Sequence, residues 1–167
     1  MGLAVEREYF AVEQSAARDG YHEVPDVERR VFTRAENKKE FGKSTEVLSC
    51  GLDLESVVDE WRERCSGMVL GGSGSGKGKR KGKGKGKEGK SVDVRLSDDV
   101  GNYVCGFIYY VSLKEMLGRK GKKDVVFLHV PLLKEQEVGV AVEVVGELVR
   151  ALVDAWVERM ELGEERE

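Results

Sequence analysis

An α/β protein, a mainly parallel sheet with helices on its faces, is the fold this sequence predicts, and three observations predict it. Leu54, Val57, Val58 and Trp61 fall at i, i+3, i+4 and i+7, the spacing of a helix with one buried face. Val92, Val94 and Leu96 alternate with polar residues as a strand does, and Val125 to Val130 form a continuous apolar run, the mark of a strand buried on both faces. Helical and strand patterns therefore alternate along the chain, the order that right-handed crossover units produce. The 167 residues, 40 % of them hydrophobic, are the size of one domain with one core.

Taken in order, Tyr9 to Val12 reads as a short strand, and the polar stretch that follows, through Ser44, carries no reliable periodicity. A helix is expected over Leu54 to Cys65, with Asp53 placed to cap its first free amides. The strand around Val92 to Leu96 ends in Ser97-Asp98-Asp99, residues suited to turns and caps, and a helix is expected from about Asn102 to Leu117. Gly118 to Lys123 reads as a basic turn, and the apolar run stops at Pro131. Val145, Leu148, Val149, Leu152, Trp156 and Met160 give the last helix an apolar stripe, although alternation in Val138 to Val144 blurs its start.

Between these halves lies Gly71 to Ser91 (GGSGSGKGKRKGKGKGKEGKS), without one apolar residue. Glycine makes ordering costly and the lysines repel one another, so a single domain, residues 1 to 167, interrupted by a disordered insert at 71–91 is expected. Seven Lys and one Arg against one Glu give this tract a charge of +7, which leaves about −10 for the rest of a chain whose net charge is −3. No apolar run approaches the roughly 20 residues of a membrane span, and the N-terminus lacks the order of a signal peptide. Three cysteines without the paired spacing of a zinc site fit free thiols in a reducing compartment, so a cytoplasmic location is expected.

Only His22 and His129 can supply an imidazole. His22 sits among charges in a polar loop and reads as solvated, whereas His129, at the end of the buried strand and shortly before Pro131, suits a general base. Cys105 falls in the first turn of the helix that begins near Asn102, where unpaired amides and the helix dipole favour thiolate. Composition alone favours the plainer readings, Cys105 as a small buried residue beside Val104, Phe107 and Ile108, and His129 as a histidine satisfied by one backbone bond.

A resemblance bears on that choice. Val94 to Leu113, VRLSDDVGNYVCGFIYYVSL, is similar to the nucleophile region of the pyroglutamyl-peptidase I (pyrrolidone-carboxylate peptidase) family, a strand, then Ser-x-Asp/Ser/Thr-Ala-Gly-x-Tyr-Leu-Cys, then an aromatic-rich helix. Phe127-Leu128-His129-Val130-Pro131 resembles the family's histidine strand, Phe-Val/Ile-His-Val/Leu-Pro. Phe10-Ala11-Val12-Glu13, with Gly20-Tyr21 seven positions on, looks like its acidic segment. The resemblance implies a three-layer α/β/α fold of phosphorylase/hydrolase type and a cysteine peptidase that removes N-terminal pyroglutamate from peptides. Cys105 would be the nucleophile, His129 the general base and acid, and Glu13 the residue that orients His129. No metal or organic cofactor is called for.

Val100 stands where the family usually has alanine, and Gly106 where it has asparagine or aspartate. Met1-Gly2 resembles the end of a central strand, so the family's first strands and its Gly-Phe-x-Pro-Phe loop, which helps form the pyroglutamate pocket, would be missing from a truncated gene product. A catalytically inactive relative is one alternative. Another is nonspecific nucleic-acid binding through the lysines of the insert, which carries no aromatic residue to stack on bases. Gly71-Gly72-Ser73-Gly74-Ser75-Gly76-Lys77 nearly spells a phosphate loop, but Gly78 occupies the place of the Ser or Thr that would hold magnesium.

Overall fold

In the computed structural model, which describes residues 1–71 and 89–164, a central four-stranded sheet carries helices on both faces. Its strands are β1 (Gly2–Ala4), β2 (Phe10–Glu13), β7 (Val94–Ser97) and β8 (Phe127–Pro131), ordered β1-β8-β2-β7. β1 runs parallel to β8 and β2 parallel to β7, while β8 and β2 are antiparallel, so the sheet is mixed and mostly parallel. Two small ribbons flank it: β3 (Ser15–Ala17) with β4 (Val47–Ser49), and β5 (Val69–Leu70) with β6 (Lys90–Ser91). The helices are α1 (Arg34–Phe41), α2 (Leu54–Arg64), α3 (Val104–Lys120) and α4 (Val138–Glu164), the last preceded by a 3₁₀ turn at Glu135–Glu137. Among the described residues no helix is long and apolar enough to cross a membrane.

Strand alternation divides the core in two. Phe10, Val12, Val94 and Leu128 point to one face and meet Leu54, Val57, Val58 and Trp61 of α2 and Ala141, Val144, Leu148 and Ala151 of α4. Phe127 points to the other face and joins Tyr109, Tyr110 and Leu113 of α3 with Phe41, Leu48 and Val100. Trp61 is wholly buried, and its indole N–H donates to the Val144 carbonyl at 2.8 Å, which fixes α2 against α4. On the opposite face the Tyr109 hydroxyl donates to the Glu13 carbonyl at 2.9 Å, so α3 is tied to the end of β2.

Most expected elements are present. Asp53 caps α2 by accepting from the Ser56 amide, and the strands at Phe10, Val94 and Phe127 appear within a residue or two of where the pattern puts them. Three details differ. α3 continues through the expected basic turn to Lys120, where Gly121 adopts a left-handed conformation (φ 66°) that ends it. Val149, Trp156 and Met160, expected in the buried stripe of α4, are 53 %, 48 % and 40 % exposed, because the face of α4 turned to the core is the one that carries Ala141, Val144, Leu148 and Ala151. Lys90 and Ser91, expected inside the disordered insert, pair with Leu70 and Val69. Residues 72–88 of that expected insert lie outside the described residues.

Candidate active site

The three residues singled out by sequence meet on the α3 side of the sheet. Glu13 closes β2, and its alternation partner Ala11 lies in register with His129 of the antiparallel neighbour β8. Both Glu13 and His129 therefore point to the same face. The Glu13 Oε1 atom lies 2.7 Å from His129 Nδ1, with the carboxylate fully buried and His129 only 5 % exposed. Contrary to the expectation that the imidazole sits at a strand's carboxyl end, His129 is the third residue of the five in β8. The reason is direction: β8 runs against β2, so its first residue, Phe127, is in register with Glu13, and His129, opposite Ala11, meets the carboxylate from two residues along the same face.

Cys105 enters from above, as the second residue of α3. Tyr103 provides no side-chain cap, and the first helical bond runs from the Phe107 amide to the Tyr103 carbonyl at 3.0 Å. The amides of Val104, Cys105 and Gly106 are thus left without partners inside the helix, as first-turn amides are. Gly2 defines where the sulfur lies. A Cβ on Gly2 would fall 2.8 Å from Cys105 Sγ, 3.1 Å from His129 Cδ2 and 3.2 Å from the Phe127 ring. Thiol and imidazole therefore share the space that the missing side chain of Gly2 leaves open. No hydrogen bond joins them among the described residues.

Burial pushes the Cys50 thiol up, and burial together with Glu147 pushes Cys65 to about 11, so both are held neutral and inert. For Glu13 burial is the strongest single influence and acts upward. Hydrogen bonds from His129, Ser97 and Arg7, with the Arg7 charge, outweigh it and hold the carboxyl below its ordinary value of 4.5. Oε2 is buried and has no partner at hydrogen-bond geometry, although the Ser97 hydroxyl, on the residue of β7 in register with Glu13, is near enough to favour the charged form. A carboxylate facing Nδ1 fixes the tautomer with its proton on that nitrogen and turns the lone pair of Nε2 outward.

A cavity of about 300 Å³ opens at the start of α3, lined by Tyr21, Val31, Phe32, Tyr103, Val104 and Phe107, with Asp26, Arg30 and Glu36 at charged positions. Tyr103 and Val104 immediately precede Cys105, and Tyr21 packs edge-on against Phe107 with ring centroids 5.3 Å apart. Gly20, with φ of 112°, turns the chain so that Tyr21 reaches this place. The wall from Val24 to Glu36 comes from the stretch in which the sequence showed no periodicity. One signal there was legible: Thr33 and Glu36 form a reciprocal capping box at the start of α1. The two departures from the family pattern also have structural accounts. Val100 is buried among Tyr109, Tyr110 and Phe127, and a Cβ on Gly106 would come within 2.1 Å of the Gly101 carbonyl oxygen, so the turn before Cys105 packs too closely for a side chain there.

These elements define an α/β chain that carries a thiol, an imidazole and a carboxylate on one face of a mixed sheet. Solved structures of pyrrolidone carboxyl peptidase from the hyperthermophile Pyrococcus furiosus share that fold. A single-site variant superposes with a TM-score of 0.57 at 18 % identity, covering 95 % of this chain and 67 % of its own. A structure reported together with a cysteine-free mutant gives 0.59 at 17 % identity, with the same coverage of 95 % and 67 %. No protein-family model matches the sequence, and no curated protein matches it significantly. This chain thus spans about two thirds of the length of the solved structures whose fold it shares.

Proposed function

We propose that this chain is a cysteine peptidase that removes an N-terminal pyroglutamyl residue from peptides, with Cys105 as nucleophile, His129 as general base and acid, and Glu13 as the residue that orients the imidazole. The observation that carries the reading is the buried 2.7 Å contact between Glu13 and His129, with Cys105 Sγ and the His129 ring both bordering the open space beside Gly2. A buried ionised carboxylate on a buried histidine is costly for stability, and the same arrangement is what nucleophilic acyl transfer requires. The likeness in fold to pyrrolidone carboxyl peptidase, and the sequence resemblance around Cys105, His129 and Glu13, point the same way.

In this mechanism Cys105 transfers its proton to Nε2 of His129, and the thiolate attacks the carbonyl carbon of the pyroglutamyl residue. The first-turn amide of Cys105 is one donor to the oxyanion. His129 then gives its proton to the leaving amine as the C–N bond breaks, and a thioester of pyroglutamate remains on Cys105. Water, deprotonated by His129, attacks the thioester and releases pyroglutamic acid with the thiol restored. The uncharged lactam suits the largely apolar cavity at the start of the Cys105 helix, formed by Tyr21, Phe32, Tyr103 and Phe107.

Release of a fluorescent amine from a pyroglutamyl conjugate, compared with prolyl and glutamyl conjugates, tests the reading. Hydrolysis of the first with little or none of the others is expected. Equal rates on all three would sink the pyroglutamyl assignment, and no hydrolysis of any would sink peptidase activity for this chain. Glu13→Gln is expected to lower kcat by about 10³- to 10⁴-fold. Its amide can donate to Nδ1, which stabilises the tautomer that carries a proton on Nε2 and cannot accept one from Cys105. A fall below about tenfold would remove Glu13 from the orienting role.

A further inference from the structure

Arg7 belongs to the chemistry of this site, although it lies in the turn between β1 and β2 and carries no sequence signal beyond being one of many charged residues. Its NH1 group donates to Glu13 Oε1 at 2.6 Å, the same oxygen that faces His129, and its side chain is only 18 % exposed. Its NH2 group donates to the Asp99 carbonyl, in the loop that leads from β7 into the Cys105 helix. The backbone amide of Arg7 donates to the Ala4 carbonyl at 3.1 Å, which anchors the turn to the end of β1. One guanidinium therefore links the carboxylate to the nucleophile loop.

We propose that Arg7 is a positioning residue that keeps Glu13 ionised against His129 and locks the loop before Cys105 at a fixed distance from that pair. A fully buried carboxylate with only a neutral imidazole as neighbour would take up a proton, because desolvation penalises its charge. A guanidinium cannot lose its proton at any working pH, so it neutralises the carboxylate without competing for the proton that Cys105 and His129 exchange. The groups that face Glu13 are Arg7 from the turn, His129 from β8, Ser97 from β7, and the Tyr109 hydroxyl from α3, with Cys105 beyond the imidazole. Arg7 is the permanent cation in that set. Removing it makes each nearby deprotonation harder, so thiolate formation at Cys105 and ionisation of Glu13 both move to higher pH.

The inference rests on reading Cys105, His129 and Glu13 as a triad, and its test does not require turnover. The rate of carbamidomethylation of Cys105 by iodoacetamide, read from the mass of the Cys105 peptide, is measured against pH for the parent chain and for Arg7→Met, Arg7→Gln and Arg7→Lys. The uncharged variants are expected to move the midpoint of the acid limb upward by about 1 pH unit or more, and Arg7→Lys by less than half as much. Arg7→Gln retains donors for Glu13 and Asp99, so it reports the loss of charge even if Arg7→Met fails to fold. Folded Arg7→Gln or Arg7→Met with the parent's midpoint would overturn the proposal, as would Arg7→Lys shifting as far as Arg7→Gln. A parent chain that cleaves no pyroglutamyl conjugate, while these shifts appear, would remove the functional reading and leave the role of Arg7 standing. Hydrolysis with unmoved midpoints would do the reverse.

Discussion

Cys105→Ala is expected to abolish release of amine from a pyroglutamyl conjugate, a loss of at least about 10⁴-fold, as removal of a nucleophile produces elsewhere. The substitution deletes one sulfur from a half-buried position and leaves the first turn of α3 intact, so the variant should keep the parent's unfolding midpoint. That combination separates a chemical role from a packing role. The contrast with the other thiols sharpens it: Cys65→Ala removes a buried member of the core whose thiol is pushed to about 11, and should cost stability and spare turnover. A Cys105→Ala chain that retained the parent's rate would show the bond cleavage to come from another group.

Trp61→Ala is expected to cost about 3–5 kcal/mol of unfolding free energy, measured by urea titration followed by circular dichroism. Trp61 is fully buried, fills the seam between α2 and α4, and loses with its ring the indole bond to the Val144 carbonyl. Small domains have only about 5–15 kcal/mol in total, so this single change removes a large share of it. Trp156, the other tryptophan, is 48 % exposed and should tolerate the same replacement within about 1 kcal/mol. A Trp61→Ala chain as stable as the parent would mean that α2 and α4 are not held by the packing described above.

The sequence and the structure agree where one local signal decides the outcome. Leu54, Val57, Val58 and Trp61 announce α2 because all four face a single partner surface, and Asp53 announces its start. Val149 and Trp156 mislead because an apolar side chain on a helix declares a preference, whereas burial depends on which neighbour is present. Cys105, His129 and Glu13 were singled out through motifs, since hydrophobic periodicity says nothing of three residues separated by dozens of positions. The role of Arg7 was not legible at all, and Gly2 was legible only as part of a strand. The value of Arg7 comes from a partner six residues away across a turn and a carbonyl 92 residues away, and that of Gly2 from a sulfur and an imidazole that only the folded sheet brings to it. The cavity wall was hidden for another reason: Val24 to Glu36 contributes side chains from irregular backbone, for which no periodic pattern exists.

The strand order β1-β8-β2-β7 has a consequence for how the site comes into being. β1 and β2 precede residues 72–88 and β7 and β8 follow them, so each ladder of the central sheet joins one half of the chain to the other. Neither half holds two neighbouring strands of that sheet, and neither holds the whole site, with Arg7 and Glu13 in the first and Cys105 and His129 in the second. Produced as separate polypeptides, the halves would behave as complementing fragments. Each alone would lack the ladder that makes its strands worth forming, and reactivity would return only when the two interleave, with a second-order dependence on their concentrations.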